Sequence, residues 1–323
     1  MKTFFLGLQT PWKWAVAVLA MALITIQAAE PVVSYMVVDH YSGKILAQKN
    51  ADQKLPVASL TKIATACVVL DWAQVSKTDL GQRMTVPQSA AMLAQATAVG
   101  LQPGDVLTLR DGLYAALMAS DNVAAESLAM HVGVDMLRRR NKSGLPMVEF
   151  LREMEALSAK LNMLSTKYVN AHGLDFGLKN RPHSTASDMC RLSKYAMEKV
   201  GFRFYVSQGS RKIKVNRFGN RRAFKLTNTN QLLGKMQIDG VKTGQTQASG
   251  PCLAVSSKRP NQITKFPDGS SQIQKRRVTA VILGAQDRFR AGRDLIDYGW
   301  QQYDAWNVAG RPKQDPQGFL PGF

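Results

Sequence analysis

Three cysteines in 323 residues cannot build a disulfide framework. Cys67 and Cys252 sit in apolar runs, and with Cys190 they read as free thiols that pack as small hydrophobes. No pair stands at metal-ligand spacing and no His-Glu-x-x-His occurs, so neither a metal nor a cofactor is expected. Histidine is scarce: His40, His131, His172 and His183 are the only four. No Gly-x-Ser-x-Gly elbow accompanies them, although a Ser-His-Asp triad assembled by folding stays open at this stage. Internal repeats and long low-complexity segments are absent. At this length the chain makes one large domain or two ordinary ones.

Negative charge is also scarce. Against 42 Lys and Arg stand 23 Asp and Glu, a net charge of +19. Subtracting Lys2 and Lys13 of the N-terminal segment leaves +17. The basic residues cluster at Arg138-Arg139-Arg140, from Arg211 to Lys225, and at Lys275-Arg276-Arg277. Nucleic acid is not an expected partner, because aromatic stacking platforms are not interleaved clearly with these runs and no known module appears. Most of this charge reads as solvated surface; an anionic envelope surface is the partner it suits.

Long apolar runs are missing too. Ala15 to Ile24 follows a basic start and ends before small residues at Ala28-Ala29. It is short for a membrane span of about 20 residues. Residues 1–29 therefore read as a secretory signal peptide, with an uncleaved anchor as the alternative, and the expected location is periplasmic or otherwise extracytoplasmic, with membrane association left open.

What is present divides into blocks. Val32 to Asp39 and Ile45 to Gln48 read as a hairpin around Tyr41-Ser42-Gly43-Lys44. A helical pattern runs over about 76–200, with Leu113, Leu117, Met154 and Leu157 at helical spacing. Strand signals resume near Lys212 and continue through Ile238–Lys242, Pro251–Ser257 and Arg277–Leu283. Polar residues and Pro267-Asp268-Gly269 join the last two as a long hairpin connection. Asp287 to Tyr303 is a final amphipathic helix, and 306–323 reads as a flexible tail. The predicted class is α/β in the α+β sense: an antiparallel five-stranded sheet flanked by terminal helices, with an inserted all-helical subdomain at about 76–200 within a domain of 30–305. A site is expected in the cleft between the lobes.

The chemistry begins at Ser59-Leu60-Thr61-Lys62, which opens the apolar run Ile63 to Leu70. Positions i and i+3 share a helix face, separated by roughly 4.5 Å of rise. A serine hydroxyl is a poor nucleophile until a base takes its proton. A lysine can serve if burial depresses its pKa, and Ala66 and Val69 below the pair are apolar. Alone, Ser-x-x-Lys is a weak signal. Ser120-Asp121-Asn122 lies between two helical runs, and Lys242-Thr243-Gly244 ends a strand. The three together, in these contexts, are the signature shared by class A β-lactamases and penicillin-binding proteins.

The chain resembles the low-molecular-mass penicillin-binding proteins that act as serine-type D-alanyl-D-alanine carboxypeptidases. The resemblance rests on Pro56 to Lys62, Ala119 to Asn122, Ala171 to Asp175, Ser184 to Met189 and Asp239 to Gly244, and covers roughly Pro31 to Tyr303. It implies the β-lactamase/transpeptidase-like fold. By resemblance Ser59 would attack the D-Ala–D-Ala carbonyl and Lys62 would take its proton. Ser120 would pass that proton toward the leaving amine, and Asn122 would steady Lys62 and the substrate amide. Lys242 and Thr243 would bind the terminal carboxylate, with Gly244 letting the strand edge come close. The N–H groups of Ser59 and Gln245 would form the oxyanion hole. The expected partners are a peptidoglycan pentapeptide or crosslinked stem peptide, with β-lactams as inhibitors.

Two alternatives accompany that expectation. Asp71 and the stretch Thr227 to Leu232 resemble single-domain relatives that cut crosslinks as endopeptidases, and Gln245 stands where carboxypeptidases of the family often carry a histidine. A non-catalytic wall-binding protein on the same fold is the other. A class A lactamase is disfavoured, because Glu155 is not followed by its motif. Glu149, Glu153 and Glu155 read as the solvated face of a helix.

Overall fold

The computed structural model describes residues 32–323 except 176, 178–180 and 314. The signal-peptide expectation for 1–29 lies outside the described residues. Nine strands are described: β1 Val32–Asp39, β2 Ile45–Lys49, β3 Arg83–Thr85, β4 Val106–Thr108, β5 Ser210–Arg217, β6 Asn220–Thr227, β7 Ile238–Thr246, β8 Gly250–Lys265 and β9 Ser271–Ala285. Seven α-helices accompany them: α1 Thr61–Ser76, α2 Leu109–Met118, α3 Asn122–Arg139, α4 Pro146–Lys160, α5 Ala186–Glu198, α6 Val200–Val206 and α7 Arg288–Val308.

The main sheet is antiparallel, in the order β2-β1-β9-β8-β7, as the five-stranded expectation required. Its two faces follow from alternation along the strands. Val37, Leu253, Val255, Val278 and Ile282 point to one face, where Ile296, Trp300 and Tyr303 of α7 cover them. Met36, Val38, Ala254, Val281 and Leu283 point to the other, into a core shared with α1 and α5. Asp287 caps α7 by accepting from the N–H groups of Phe289 and Arg290. Among the described residues, α7 is the one terminal helix on the sheet. The opposite face is covered by α5 and α6, not by a second terminal helix, and α1 packs against these two from behind.

The helix α1 is buried on nearly every side from Thr61 to Val69. A helix that is apolar all round belongs at the centre of a domain, and α1 packs against α2, α3, α4, α5 and α6. It ends where Lys77 adopts a left-handed conformation, φ 54°.

The inserted lobe is not all-helical. The strands β3, β4, β5 and β6 form a second, four-stranded sheet at its edge. Three-residue strands such as β3 and β4 are too short to show alternation, so the sequence pattern hid them. The hairpin β5–β6 joins this lobe through Val106 opposite Asn216 rather than extending the main sheet.

The flexible tail of 306–323 also needs correction. The helix α7 runs on to Val308, and the chain then folds back onto the first hairpin. The Leu320 N–H donates to the Gly43 carbonyl at 2.9 Å, and the Leu320 side chain is buried. The Arg191 guanidinium donates to the Pro321 carbonyl at 3.0 Å. Proline and glycine remove regular structure, but they do not prevent single apolar anchors from packing.

Candidate active site

Three elements converge on the start of α1. Ser59 sits in a short 3-10 turn, Ala58–Leu60, which feeds directly into that helix. Ala58 before it has φ 48°, a left-handed conformation for a residue with a Cβ. Such local strain persists only where surrounding contacts hold it.

Those contacts come from residues 170–175. The Asn170 side-chain carbonyl accepts from the N–H groups of His172 and Gly173, and its amide donates to the Leu174 carbonyl at 2.8 Å. The loop is pinned to α1 by the Thr65 hydroxyl, which donates to the Ala171 carbonyl at 2.6 Å. Gly173 has φ 84°, and a Cβ there would lie 1.9 Å from the Ala58 carbonyl oxygen. Only glycine lets the loop press on the Ser59 turn this closely.

Lys62 is fully buried, and its Nζ has three partners. Ser59 Oγ lies at 2.8 Å, Asn122 Oδ1 at 2.7 Å and the His172 carbonyl oxygen at 2.7 Å. Asn122 Nδ2 donates to the Ala96 carbonyl at 2.7 Å, which fixes the amide so that its oxygen faces Lys62. Burial lowers the Lys62 pKa to about 7, while the Asp121 carboxylate pulls it upward. As an ammonium, Lys62 donates to all three oxygens. As a neutral amine it has two N–H groups and one lone pair. The two carbonyl oxygens can only accept, so the lone pair is left facing the Ser59 hydroxyl.

Asn122 is the first residue of α3, and Asp121 is its N-cap, accepting from the Ala124 N–H at 2.8 Å. The other Asp121 oxygen accepts from the Thr97 hydroxyl at 2.6 Å and the Val99 N–H at 2.9 Å. Ser120 has φ 62° in the turn between α2 and α3, and its hydroxyl has no hydrogen-bond partner among the described residues.

The third wall is β7, the edge strand of the main sheet. Lys242 is buried, and its ammonium donates to the Thr243 carbonyl at 2.8 Å. Burial holds its pKa well below the ordinary lysine value, and the charges of Lys62 and Arg288 push in the same direction. A Cβ on Gly244 would lie 3.0 Å from the Val57 carbonyl oxygen and 3.1 Å from the Ser59 nitrogen. The missing side chain therefore brings the strand edge against the backbone of Ser59. Gln245 follows, exposed, with Oε1 accepting from Arg288 at 2.7 Å.

All eight residues singled out from the sequence thus lie on the three elements that meet at the start of α1: Ser59, Lys62, Asn122 and Gly244 are in direct contact there, and Ser120, Lys242, Thr243 and Gln245 stand beside them in the chain. Two further residues reach the same strand. Thr229 Oγ1 lies 2.6 Å from Thr243 Oγ1, and the Thr229 N–H donates to the Met118 carbonyl at 3.0 Å. Arg288 donates to the Gly244 carbonyl at 2.5 Å. Thr229 belongs to the stretch Thr227 to Leu232, whose resemblance to the endopeptidase branch does not mark it as a partner of Thr243, and Arg288 is one arginine among many.

The histidines do not form a triad. His172 contributes its backbone carbonyl, and burial together with the Lys62 charge drives its ring pKa down to about 3. His40 is buried against Thr279 at the end of β1. Among the described residues no carboxylate hydrogen-bonds Ser59 or Lys62. Glu155 is exposed on α4. Glu149 is not part of a solvated face: it is buried and paired with Arg140 at 2.6 Å and Arg152 at 2.9 Å.

Residues 24–264, which include all three motifs, match the family model described as D-alanyl-D-alanine carboxypeptidase. The chain belongs to this family. The D-alanyl-D-alanine carboxypeptidase DacF of Bacillus subtilis is 25% identical over 87% of the chain, and DacC of Escherichia coli is 27% identical over 84%. A D-alanyl-D-alanine endopeptidase of Pseudomonas aeruginosa is 31% identical over 69% of the chain and 66% of its own length. The chain spans 65% of the length of the DacF protein and 62% of the DacC protein. Among solved structures, a serine-to-alanine variant of the Streptomyces K15 DD-transpeptidase superposes with a TM-score of 0.70, at 25% identity, covering 84% of this chain and 98% of that one. Penicillin-binding protein D2 of Listeria monocytogenes, in its ampicillin-bound form, gives 0.62 at 26% identity, covering 83% and 97%.

Proposed function

We propose that this D-alanyl-D-alanine carboxypeptidase family member is a penicillin-sensitive serine D,D-peptidase that removes the terminal D-alanine from peptidoglycan stem peptides. The observation that carries the reading is the buried Lys62 amine, 2.8 Å from Ser59 Oγ with its other two hydrogen-bonding positions already filled.

The peptide lies along the free edge of β7, so its backbone pairs with the strand. Its C-terminal carboxylate meets the Thr243 hydroxyl and the Lys242 ammonium. That carboxylate favours the protonated form of Lys242, opposing the burial that disfavours it. Ser59 Oγ attacks the carbonyl carbon of the penultimate residue as its proton passes to Lys62 Nζ. The new ammonium donates to Asn122 Oδ1 and the His172 carbonyl, so its charge forms where acceptors already wait. The N–H groups of Ser59 and Gln245 take the oxyanion. Collapse breaks the peptide bond, and the proton moves from Lys62 through the Ser120 hydroxyl to the departing D-alanine amine. Water then attacks the acyl-enzyme, giving a proton to Lys62; as the Ser59 ester bond breaks, Lys62 returns that proton to Ser59 Oγ, and the shortened peptide leaves with both residues restored.

A labelled penicillin should attach covalently to the wild type and not to Ser59→Ala. Correctly folded wild type that neither takes up label nor releases D-alanine from a pentapeptide overturns the reading. A wall-binding protein without chemistry has no use for a base at Lys62, and D-alanine release excludes it. The same reading puts the protein outside the cytoplasm, where its substrate is. Among the described residues no helix is long and apolar enough to cross a membrane.

One observation favours a crosslink-cutting endopeptidase as the second reading. The stretch Thr227 to Leu232 resembles that branch, and its Thr229 touches the carboxylate-binding Thr243. Mass spectrometry of digested wall fragments separates the two, because loss of one alanine and loss of a crosslink are different mass changes.

A further inference from the structure

The strands β8 and β9 do not stop at the edge of the sheet. They run on as a two-stranded arm, paired from Lys258 opposite Arg277 out to Lys265 opposite Ser271, closing at Pro267-Asp268-Gly269. Ile263 lies ten residues along β8 from Leu253, the residue paired with Thr243. At about 3.3 Å per residue, the apolar part of the arm stands roughly 30 Å from the cleft.

The arm has two different faces. Arg259 stacks on Trp300 and pairs with Asp304 at 2.8 Å, and Gln274 donates to the Tyr303 hydroxyl at 2.7 Å. That face is committed to α7. Alternation puts Ile263, Lys265, Ile273 and Lys275 on the other face, with Lys258 beside them. Ile263 is 60% exposed, its partner Ile273 61%, and Phe266 at the turn 44%. Lys258, Lys265 and Lys275 are exposed, and none has a carboxylate partner among the described residues. At the root of the arm, Lys275, Arg311 and Lys313 line a hollow of about 440 Å³.

We infer that this arm docks on an anionic lipid bilayer, with Ile263, Phe266 and Ile273 entering the interface and Lys258, Lys265 and Lys275 meeting the headgroups. Charge complementarity selects an anionic surface. The apolar group selects lipid over a hydrated wall polymer, which offers isoleucine and phenylalanine no medium to leave water for. Nucleic acid is disfavoured because Phe266 is the arm's only aromatic residue. Edge pairing with a second copy is opposed by Pro260, by the register shift between Arg259 and Gln262, and by the flanking lysines. Docked in this way, the arm holds the cleft away from the bilayer.

The test places an environment-sensitive fluorophore at Phe266→Cys in the full chain, whose own three cysteines are buried. The probe reads the arm alone, so insertion of residues 1–29 does not confound it. The expected result is a blue shift, with quenching by lipids carrying nitroxides on their acyl chains, in vesicles containing phosphatidylglycerol and not in phosphatidylcholine alone. Lys258→Gln, Lys265→Gln and Lys275→Gln together should raise the lipid concentration required by about a hundredfold, at roughly fivefold per lysine. Ile263→Ser with Ile273→Ser should abolish the quenching while thermal melting is unchanged. No quenching in anionic vesicles overturns the inference. So does an equal spectral response to soluble polyglutamate, which would assign the arm to a polymer. A response that depends on protein concentration without lipid would assign it to self-association and overturns it as well.

Discussion

The Nζ of Lys62 and the backbone carbonyl oxygen of His172 are 2.7 Å apart, although the residues are 110 positions apart in the chain. That contact removes one hydrogen-bonding position from the amine, Asn122 removes another, and the third is left for Ser59. The Lys62 amine is therefore aimed at Ser59 by its neighbours, and its burial favours the neutral form.

The first prediction concerns pH. With a Lys62 pKa of about 7, the neutral amine is the minority form in acid and dominates above neutrality. The rate of acylation by a labelled penicillin should rise with pH through about 7 and then level off. Lys62→Met should lose the limb altogether, with a rate about 10²–10⁴-fold lower, the usual range for removing a general base. A Lys62→Met variant with the wild-type pH profile would show that another group takes the proton.

Asp121 sets the position of that limb. Its carboxylate raises the Lys62 pKa, so Asp121→Asn should move the limb to lower pH. The side-chain oxygen that caps α3 is kept, but one oxygen becomes an amide among the N–H of Val99 and the hydroxyl of Thr97. Stability should fall by about 1–3 kcal/mol, the range for a buried polar group left mispaired, as measured by denaturant unfolding.

Gly173 and Gly244 should respond differently to the same added methyl. At Gly173 the methyl meets backbone oxygen at 1.9 Å and the residue must also hold φ 84°. Gly173→Ala should displace the Ser59 turn, cost at least about 2 kcal/mol and abolish acylation. At Gly244 the nearest contacts are 3.0–3.2 Å, so the strand edge need shift by only a few tenths of an ångström. Gly244→Ala should slow acylation with little change in melting temperature.

Thr229→Val removes the hydroxyl bonded to Thr243 and keeps the shape. A neutral hydrogen bond is worth about 0.5–1.5 kcal/mol, or about 2- to 12-fold. The KM for a substrate with a free terminal carboxylate should rise by that factor, and kcat should change less. An amidated peptide, lacking the charge, should be indifferent to the substitution.

Much of the site is legible in the sequence because its parts are local. Ser59 and Lys62 meet through i,i+3 spacing, Asp121 and Asn122 stand at a helix start, and Lys242 to Gly244 follow a strand pattern. The five-stranded sheet is legible for the same reason, since Val32 to Asp39 and Arg277 to Leu283 show apolar and β-branched runs of strand length. What escapes is non-local or too short. The strands β3 and β4 have three residues each, less than two periods of alternation. The Pro- and Gly-rich end after Gly310 carries no periodicity, yet Leu320 is anchored by the Gly43 carbonyl. Glu149 sits on a helix among other glutamates, and Arg140, brought in from the end of α3, joins Arg152 of the same helix in pairing with it where it is buried.

The sequence by itself determined the types of chemical group and their local spacing: a hydroxyl and an amine one helical turn apart, an amide at a cap, an ammonium and a hydroxyl on a strand. Spacing and side-chain type are properties of short segments, and short segments are what a sequence states directly. Tertiary structure alone decided that Lys62 is dry, that the His172 carbonyl and Asn122 fill its other two positions, and that β7 presents a free edge beside Ser59. Burial and hydrogen-bond partnership are sums over residues far apart in the chain, and they exist only once the lobes have closed on α1.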